Sequence, residues 1–445
     1  MTDAPNEPTP APVYYTSATP PPPVGSDASE QAEPQQPSKK DPQKRSASVG
    51  IIAALAVGAL VGGVSGAGVS LWAVDANSSR VSNSDATPAS ITVNDAEDAT
   101  LITAVAAQAS PSVVTISATA SNSSGTGSGV VIDNEGHILT NTHVVTLDGA
   151  AADSVIQVET SDGRLLNATL VGTDPIVDLA VIKVDEAADL PEVDFADSSK
   201  LNVGDTAIAI GAPLGLSGTV TNGIVSALNR SITVASSAAP DDSSGDESTP
   251  DTESPFDFWN FDVPGDDDAA PTQATSTISL SVIQTDAAIN PGNSGGALLD
   301  SEGNLIGINV AIASAGGSSA AGSIGVGFAI PANLAKRVSG EIIESGTASH
   351  GLLGAGVSDV SLDSQPNATT VGANIQSITA GGAAEEAGLR AGDIVTRFND
   401  IPITGSTDLT AQVRSLAGGD TAEITYVRDG EASTTEVTLG DLPMN

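Results

Sequence analysis

The chain contains no cysteine. That excludes a disulfide framework, a thiol nucleophile and thiolate metal sites, though it does not fix the redox compartment. Aromatic residues make up 2% of the sequence, so any core must be aliphatic, built from Val, Ile, Leu and Ala. Cations are scarce as well. Fifteen Lys and Arg stand against 55 Asp and Glu, for a formal net charge of −40. Nucleic-acid affinity depends on clustered Lys and Arg, so no nucleic-acid partner is expected. The same charge limits unwanted association by self-repulsion. Only three histidines occur in 445 residues, and that length allows two or three domains at about 150 residues each.

What is present falls into segments. Residues 1–48 are rich in Pro, Ser and Gln and nearly free of large aliphatic residues. Such a stretch cannot bury enough apolar surface to offset its ordering entropy, and it reads as a disordered cytoplasmic segment. Residues 49–74 carry no charge, and about 20 apolar residues suffice to cross a bilayer. Lys39, Lys40, Lys44 and Arg45 precede this span, whereas Asp75 follows it with only Arg80 basic nearby. The positive-inside rule therefore predicts one transmembrane helix with the N-terminus in the cytoplasm and the remainder outside. The long leader and long apolar stretch favour an uncleaved anchor over a signal peptide. Residues 75–96 read as a linker.

From residue 97 the pattern is globular. A short helix is predicted over 99–110, stopped before Pro111. Short β-like runs follow at 113–116, 129–132, 137–140, 155–159, 166–173, 179–184, 207–210, 219–226, 278–284, 305–311 and 325–329, punctuated by Gly, Asn and Asp. Many short strands with frequent turn signals predict an all-β barrel or sandwich. Residues 331–345 read as a helix with Pro in its first turn and Gly346 at its end. An acidic insertion at 236–277, without Lys or Arg, reads as a long disordered surface loop. It carries the aromatic cluster Phe256-Asp257-Phe258-Trp259-Asn260-Phe261, which suits either a docking patch or a local anchor for the loop. The two globular regions are 97–346 and 347–442, the second with short strands and two helices.

Three motifs carry chemistry. The first is Gly292-Asn293-Ser294-Gly295-Gly296. A nucleophilic serine needs a tight turn that exposes its hydroxyl and backbone N–H groups for the developing oxyanion, and flanking glycines permit that turn. The second is Ile138-Leu139-Thr140-Asn141-Thr142-His143-Val144-Val145. His143 follows an apolar strand, where a loop would present it to a cleft as a base titrating near neutrality. His137, beside Glu135-Gly136, reads as a solvated turn residue, and His350, at the start of the second region, as structural. The third is Asp174-Pro175-Ile176-Val177-Asp178-Leu179-Ala180. A catalytic acid must be buried to hold one imidazole tautomer. Asp178 opens an apolar strand, where a carboxylate is costly unless paired. Asp174 reads as a turn former. Asp286 is a competing acid, on the strand leading to Ser294. The order His143, Asp178, Ser294 is that of the chymotrypsin class and agrees with the all-β reading.

Together with Gly127-Ser128-Gly129-Val130-Val131-Ile132 and the run from Gln284 to Leu299, these motifs resemble the HtrA/Deg family of trypsin-like serine proteases over residues 97–442, here in a membrane-anchored bacterial form. The resemblance implies a mainly β fold: a trypsin-like double-barrel protease domain followed by a PDZ domain. It implies the triad above and an oxyanion hole from the N–H groups of Gly292 and Ser294. No cofactor or metal is implied. The expected activity is endopeptidase cleavage of unfolded or misfolded proteins after small aliphatic residues, in protein quality control under stress. Trypsin-like specificity for Lys or Arg places an Asp six positions before the nucleophile. That position is Ala288 here, which argues against cutting after a basic residue. By alignment Ile289, Ile312 and Ala313 line the specificity pocket.

In the second region, Gly351-Leu352-Leu353-Gly354 resembles the PDZ carboxylate-binding loop that captures peptide C-termini beside an added strand. Ala387-Gly388-Leu389-Arg390-Ala391-Gly392-Asp393-Ile394-Val395 resembles a core PDZ segment, and residues 409–416 the helix flanking the groove. Family members form trimers, so a homotrimer is the implied assembly; the anchor either replaces trimer contacts or keeps the trimer on the membrane. The alternative from another class is a PDZ adaptor or holdase with a latent protease domain. A broken triad or a blocked oxyanion turn would mark it, and the sequence shows neither.

Overall fold

Short aliphatic strands close two barrels in the computed structural model, which describes residues 99–121, 123–151, 153–185, 190–212, 218–236, 277–310, 325–360 and 370–443. The predicted segment 1–48, membrane span 49–74, linker, aromatic cluster, Ile312 and Ala313 all lie outside the described residues. Among the described residues no helix is long and apolar enough to cross a membrane.

The first barrel comprises β1 (Val113–Thr119), β2 (Ser124–Val131), β3 (His137–Thr140), β4 (Val155–Glu159), β5 (Leu165–Asp174) and β6 (Leu179–Val184), in the order β1-β2-β3-β6-β5-β4, closed by β1 against β4. The second comprises β7 (Thr206–Gly211), β8 (Thr219–Ala235), β9 (Thr277–Thr285), β10 (Ala297–Leu299), β11 (Leu305–Val310) and β12 (Gly327–Pro331), in the order β10-β11-β12-β9-β8-β7. Successive side chains of a strand point to opposite faces. In β6, Ala180, Ile182 and Val184 therefore fill the first barrel, while Leu179 and Val181 join a core shared with the second. With both faces buried, β6 reads in sequence as an unbroken apolar run.

Helix α1 (Leu101–Ala109) is capped by Thr100, whose Oγ1 accepts from the Thr103 N–H at 3.2 Å. The short helix α2 (Thr142–Thr146) follows β3 directly. Helix α3 (Ala332–Ser345) begins after Pro331 and ends at Gly346 (φ 84°). Leu334, Val338 and Ile342 repeat every four residues along one face of α3, and that face packs into the shared core.

The acidic insertion joins β8 to β9, whose ends Ala235 and Thr277 are register partners. A short connection therefore spans the same gap. Deleting 240–272 is expected to preserve the fold, and the shorter loop stabilises it by about 1 kcal/mol. Circular dichroism and thermal melting check this, and loss of cooperative unfolding contradicts it.

The C-terminal region holds a sheet ordered β14 (Ala355–Asp359), β15 (Ala373–Ile378), β16 (Ile394–Phe398), β18 (Thr421–Arg428) and β19 (Glu431–Thr438), with β17 (Ile401–Pro402) on β16. The pair β13 (Gly351–Leu352) and β20 (Gly440–Asp441) lies apart. Helices α4 (Ala383–Glu386) and α5 (Ser406–Arg414) cover the core around Ile375, Leu389, Phe398, Leu409 and Ile424. Barrels and sheet belong to one compact unit, Ser84–Asn445. Gln412 of α5 donates to Ser281 of β9 at 3.0 Å, and Arg337 of α3 donates to the carbonyls of Ser349 and Ser415 at 2.8 and 3.2 Å.

Candidate active site

His143 sits in the first turn of α2, not in an open loop as the sequence suggested. The acid-bearing turn holds that helix in place. Asn141 Nδ2 donates to the Asp178 carbonyl at 2.8 Å, and Thr142 Oγ1 donates to the carbonyls of Leu179 and Asp174 at 2.6 and 3.1 Å. Asp178 has φ 55°. This left-handed conformation costs a non-glycine residue about 1 kcal/mol, and Asp is among the residues that tolerate it. In that conformation its carboxylate grips His143 twice. Oδ1 accepts from the His143 backbone N–H at 3.0 Å, and Oδ2 pairs with Nδ1 at 2.7 Å. Both side chains are buried, so the pair is little screened.

Burial works against a charged His143 ring. The charge of Asp178, its hydrogen bond and, further off, Asp148 outweigh it and hold the imidazole pKa above its ordinary value. Burial also leads in raising the Asp148 carboxyl, with His143 opposing and Asp178 adding to the rise. With Nδ1–H donating to Asp178, Nε2 is the basic nitrogen of the ring.

Ser294 lies on the turn between β9 and β10, buried against the first barrel. Gly292 (φ 95°) and Gly295 (φ 79°) take left-handed conformations that only glycine adopts readily. A Cβ on Gly295 would run into the Ser128 carbonyl and the Thr140 hydroxyl, so the serine turn abuts the strand end leading to His143. The Ser128 backbone N–H donates to the Ser294 carbonyl at 2.8 Å, and the Ser128 hydroxyl donates to the Gly292 carbonyl at 2.7 Å. The Asn293 N–H closes the turn on the Asn290 carbonyl at 2.9 Å, and the Gly295 N–H donates to the Asn309 carbonyl at 2.9 Å. A serine on a glycine-bounded turn and a buried imidazole with a carboxylate on its Nδ1 thus lie on segments that touch where the two barrels adjoin.

Other predicted residues are placed as follows. Ile289 is buried, and Gly327 leaves it room, since a Cβ there would stand 2.5 Å from Ile289 Cγ1. Asp286 accepts from the Ile224 N–H at 2.7 Å and serves β8. Gly351, Leu352, Leu353 and Gly354 line a groove opposite Leu409, Thr410 and Val413 of α5.

Two readings need correction. His137 is not a solvated turn residue but is buried in β3, with Nδ1 on Asp133 Oδ2 at 2.6 Å. The hairpin folds back so that Asp133 also accepts the His137 N–H at 3.1 Å. Asp174 is more than a turn former. It accepts from the Ile176 N–H at 3.0 Å, and its other oxygen pairs with His350 Nε2 at 2.7 Å, both side chains fully buried. His350 Nδ1 meets the Arg414 carbonyl at 2.7 Å. A residue of the C-terminal region thus braces the turn carrying Asp178. Spacing alone did not reveal this link, because the partners lie far apart in sequence. A buried carboxylate's need for a donor was the one available signal.

Residues 127–308 match the trypsin-like peptidase domain family and residues 351–439 the PDZ domain family. The fold and site therefore define a trypsin-like peptidase joined to a PDZ domain. Serine protease PepD of Mycobacterium tuberculosis is 41% identical over 344 residues, which is 76% of this chain and 65% of PepD. Serine protease Do-like HtrA of Lactococcus lactis is 36% identical over 326 residues, 70% of each chain. The solved structure of the HtrA-type protease AlgW with a tripeptide is 34% identical, with a TM-score of 0.52 over 77% of this chain and 98% of AlgW. The chain belongs to the HtrA family of serine proteases. It spans less than two thirds of the length of PepD and, at 55%, of the periplasmic serine endoprotease DegP of Escherichia coli.

Proposed function

We propose that this chain is a serine endopeptidase that cleaves unfolded or misfolded polypeptides through an acyl-enzyme on Ser294. The observation that carries the reading is the double grip of Asp178 on His143, at 3.0 Å to the backbone N–H and 2.7 Å to Nδ1. It leaves Nε2 as the base. In the proposed mechanism His143 Nε2 takes the proton as Ser294 Oγ attacks the scissile carbonyl. The N–H groups of Gly292 and Ser294 stabilise the oxyanion. Collapse expels the amine, which receives the proton from His143, and the acyl group remains on Ser294. Water, deprotonated by the same nitrogen, then hydrolyses the ester.

Several features support the finer reading. Ala288 offers no carboxylate to a basic side chain, and Ile289 with Ile312 and Ala313 would make an apolar pocket. The groove at Gly351-Leu352-Leu353-Gly354 would take peptide C-termini through its backbone N–H groups. The uncharged stretch 49–74 would tether the protein, with protease and PDZ domains on the outer face of the cytoplasmic membrane. A homotrimer is the proposed assembly.

The test is incubation of the full chain with unfolded casein and mass-spectrometric mapping of the cuts, with and without a peptide ending in an apolar carboxyl-terminal residue. Cuts after Val, Ala or Ile, stimulated by the peptide, are expected. Cuts after Lys or Arg contradict the pocket reading. Absence of cleavage in the folded protein favours the latent holdase instead.

A further inference from the structure

The hydroxyl of Ser128 is fully buried on β2 of the first barrel, beneath the turn that carries Ser294. A serine hydroxyl has one proton to donate and lone pairs with which to accept, and here both capacities are used on backbone. It donates to the Gly292 carbonyl at 2.7 Å and accepts from the Ala212 N–H at 2.8 Å. Its own backbone N–H donates to the Ser294 carbonyl at 2.8 Å, and its carbonyl accepts from Thr140 Oγ1 at 2.7 Å. One residue therefore ties together β2, the end of β3, the segment after β7 and the nucleophile turn.

We propose that Ser128 is a positioning residue of the oxyanion turn, holding the 292–293 peptide so that the N–H groups of Gly292 and Ser294 face the reacting carbonyl. This rests on the acyl-transfer reading given above. The 292–293 peptide is fastened at both ends, its carbonyl on Ser128 Oγ and its N–H on the Asn290 carbonyl at 2.9 Å. Gly292 has φ 95° and no side chain to resist rotation, so that fastening must come from neighbours. The fit around the hydroxyl is close. A Cβ on Gly211 would stand 3.0 Å from Ser128 Oγ, and one on Gly296 would stand 3.2 Å from Ser128 Cβ. Removing the hydroxyl leaves two backbone groups, the Gly292 carbonyl and the Ala212 N–H, without their buried partner. Rotation of the glycine peptide is the easiest way for the carbonyl to regain one, and that rotation spoils the turn that presents the oxyanion donors.

The experiment compares the full chain with Ser128→Ala and Ser128→Cys, reading kcat and KM on a peptide cleaved by the unsubstituted protein. It also reads the inhibition constant of a matched peptide boronic acid, which forms a tetrahedral adduct on the serine. Loss of one oxyanion donor lowers kcat by about 100-fold or more. Ser128→Ala is expected to lower kcat by that order while KM stays within about twofold, the signature of an interaction made only in the transition state. The boronate should weaken by a similar factor. Ser128→Cys keeps the size and a weak donor, so it should recover part of the loss and fold even where Ser128→Ala does not. An unchanged kcat in both variants overturns the proposal. So does a fall in melting temperature with the boronate-to-substrate affinity ratio unchanged, because a merely structural hydroxyl would behave that way. If the unsubstituted chain neither cleaves the peptide nor binds the boronate, the acyl-transfer reading itself fails, an outcome distinct from the other two.

Discussion

Ser294→Ala is expected to lower kcat by about a millionfold, the loss seen when the nucleophile of such a triad is removed. Attack on the scissile carbonyl needs an oxygen nucleophile held on the turn between β9 and β10, and alanine supplies none. The fold should survive. The glycines that permit the turn are unchanged, and the carbonyl of residue 294 still accepts from the Ser128 N–H. Residual turnover of casein close to that of the unsubstituted chain would remove Ser294 from the mechanism. Cooperative unfolding near the original temperature would show that the loss is chemical and not structural.

Asp178→Asn carries the second largest expected effect, a fall in kcat of about ten-thousandfold. Asparagine is close in shape, so the turn and its bonds to Asn141 and Thr142 are retained. The amide can donate to Nδ1, which places the imidazole proton on Nε2 and leaves the ring no basic nitrogen for the proposed proton transfer. The pH profile should move as well. Burial lowers the His143 pKa, and Asp178 is the main influence that lifts it above the ordinary range. The base works only when neutral, so activity of the unsubstituted chain falls as pH drops through that raised pKa. Without the carboxylate, burial dominates and the acid limb of kcat/KM shifts to lower pH. An acid limb that does not move would show that Asp178 is not the group acting on His143.

Much of the candidate site is legible in the sequence because the proposed acyl transfer demands scarce residue types in a fixed order. With three histidines available, and one of them directly after an apolar strand, His143 stood out. Asp178 opening an apolar run advertises a paired carboxylate, and the glycines about Ser294 advertise a tight turn. The barrels were legible for a similar reason. Strands such as β6 and β11 are buried on both faces, so they appear as short unbroken aliphatic runs between Gly and Asp turns. Pro331 and Gly346 mark the ends of the helix Ala332–Ser345 in the sequence alone.

What spacing could not supply were the partners brought together by tertiary folding. Nothing local to Asp174 points to His350, and nothing local to Ser128 points to Gly292, because these contacts depend on how the barrels and the sheet pack. At His137 the neighbours Glu135 and Gly136 signal a solvated turn, whereas Asp133 bends that turn back over a buried ring. The competition between Asp178 and Asp286 could be settled only by seeing which carboxylate reaches the imidazole. Asp286 spends its oxygen on the Ile224 N–H.

The most direct measurement of the central claim is covalent labelling of the full chain with a fluorophosphonate, which phosphonylates an activated serine Oγ with loss of fluoride. The labelled protein is digested and the adduct mapped by mass spectrometry, in parallel with Ser294→Ala and His143→Ala. A single adduct on Ser294, absent from the first variant and strongly reduced in the second, is the predicted result. An adduct on another serine, or none in a preparation that degrades casein, would contradict the assignment of Ser294 as a nucleophile activated by His143 and Asp178.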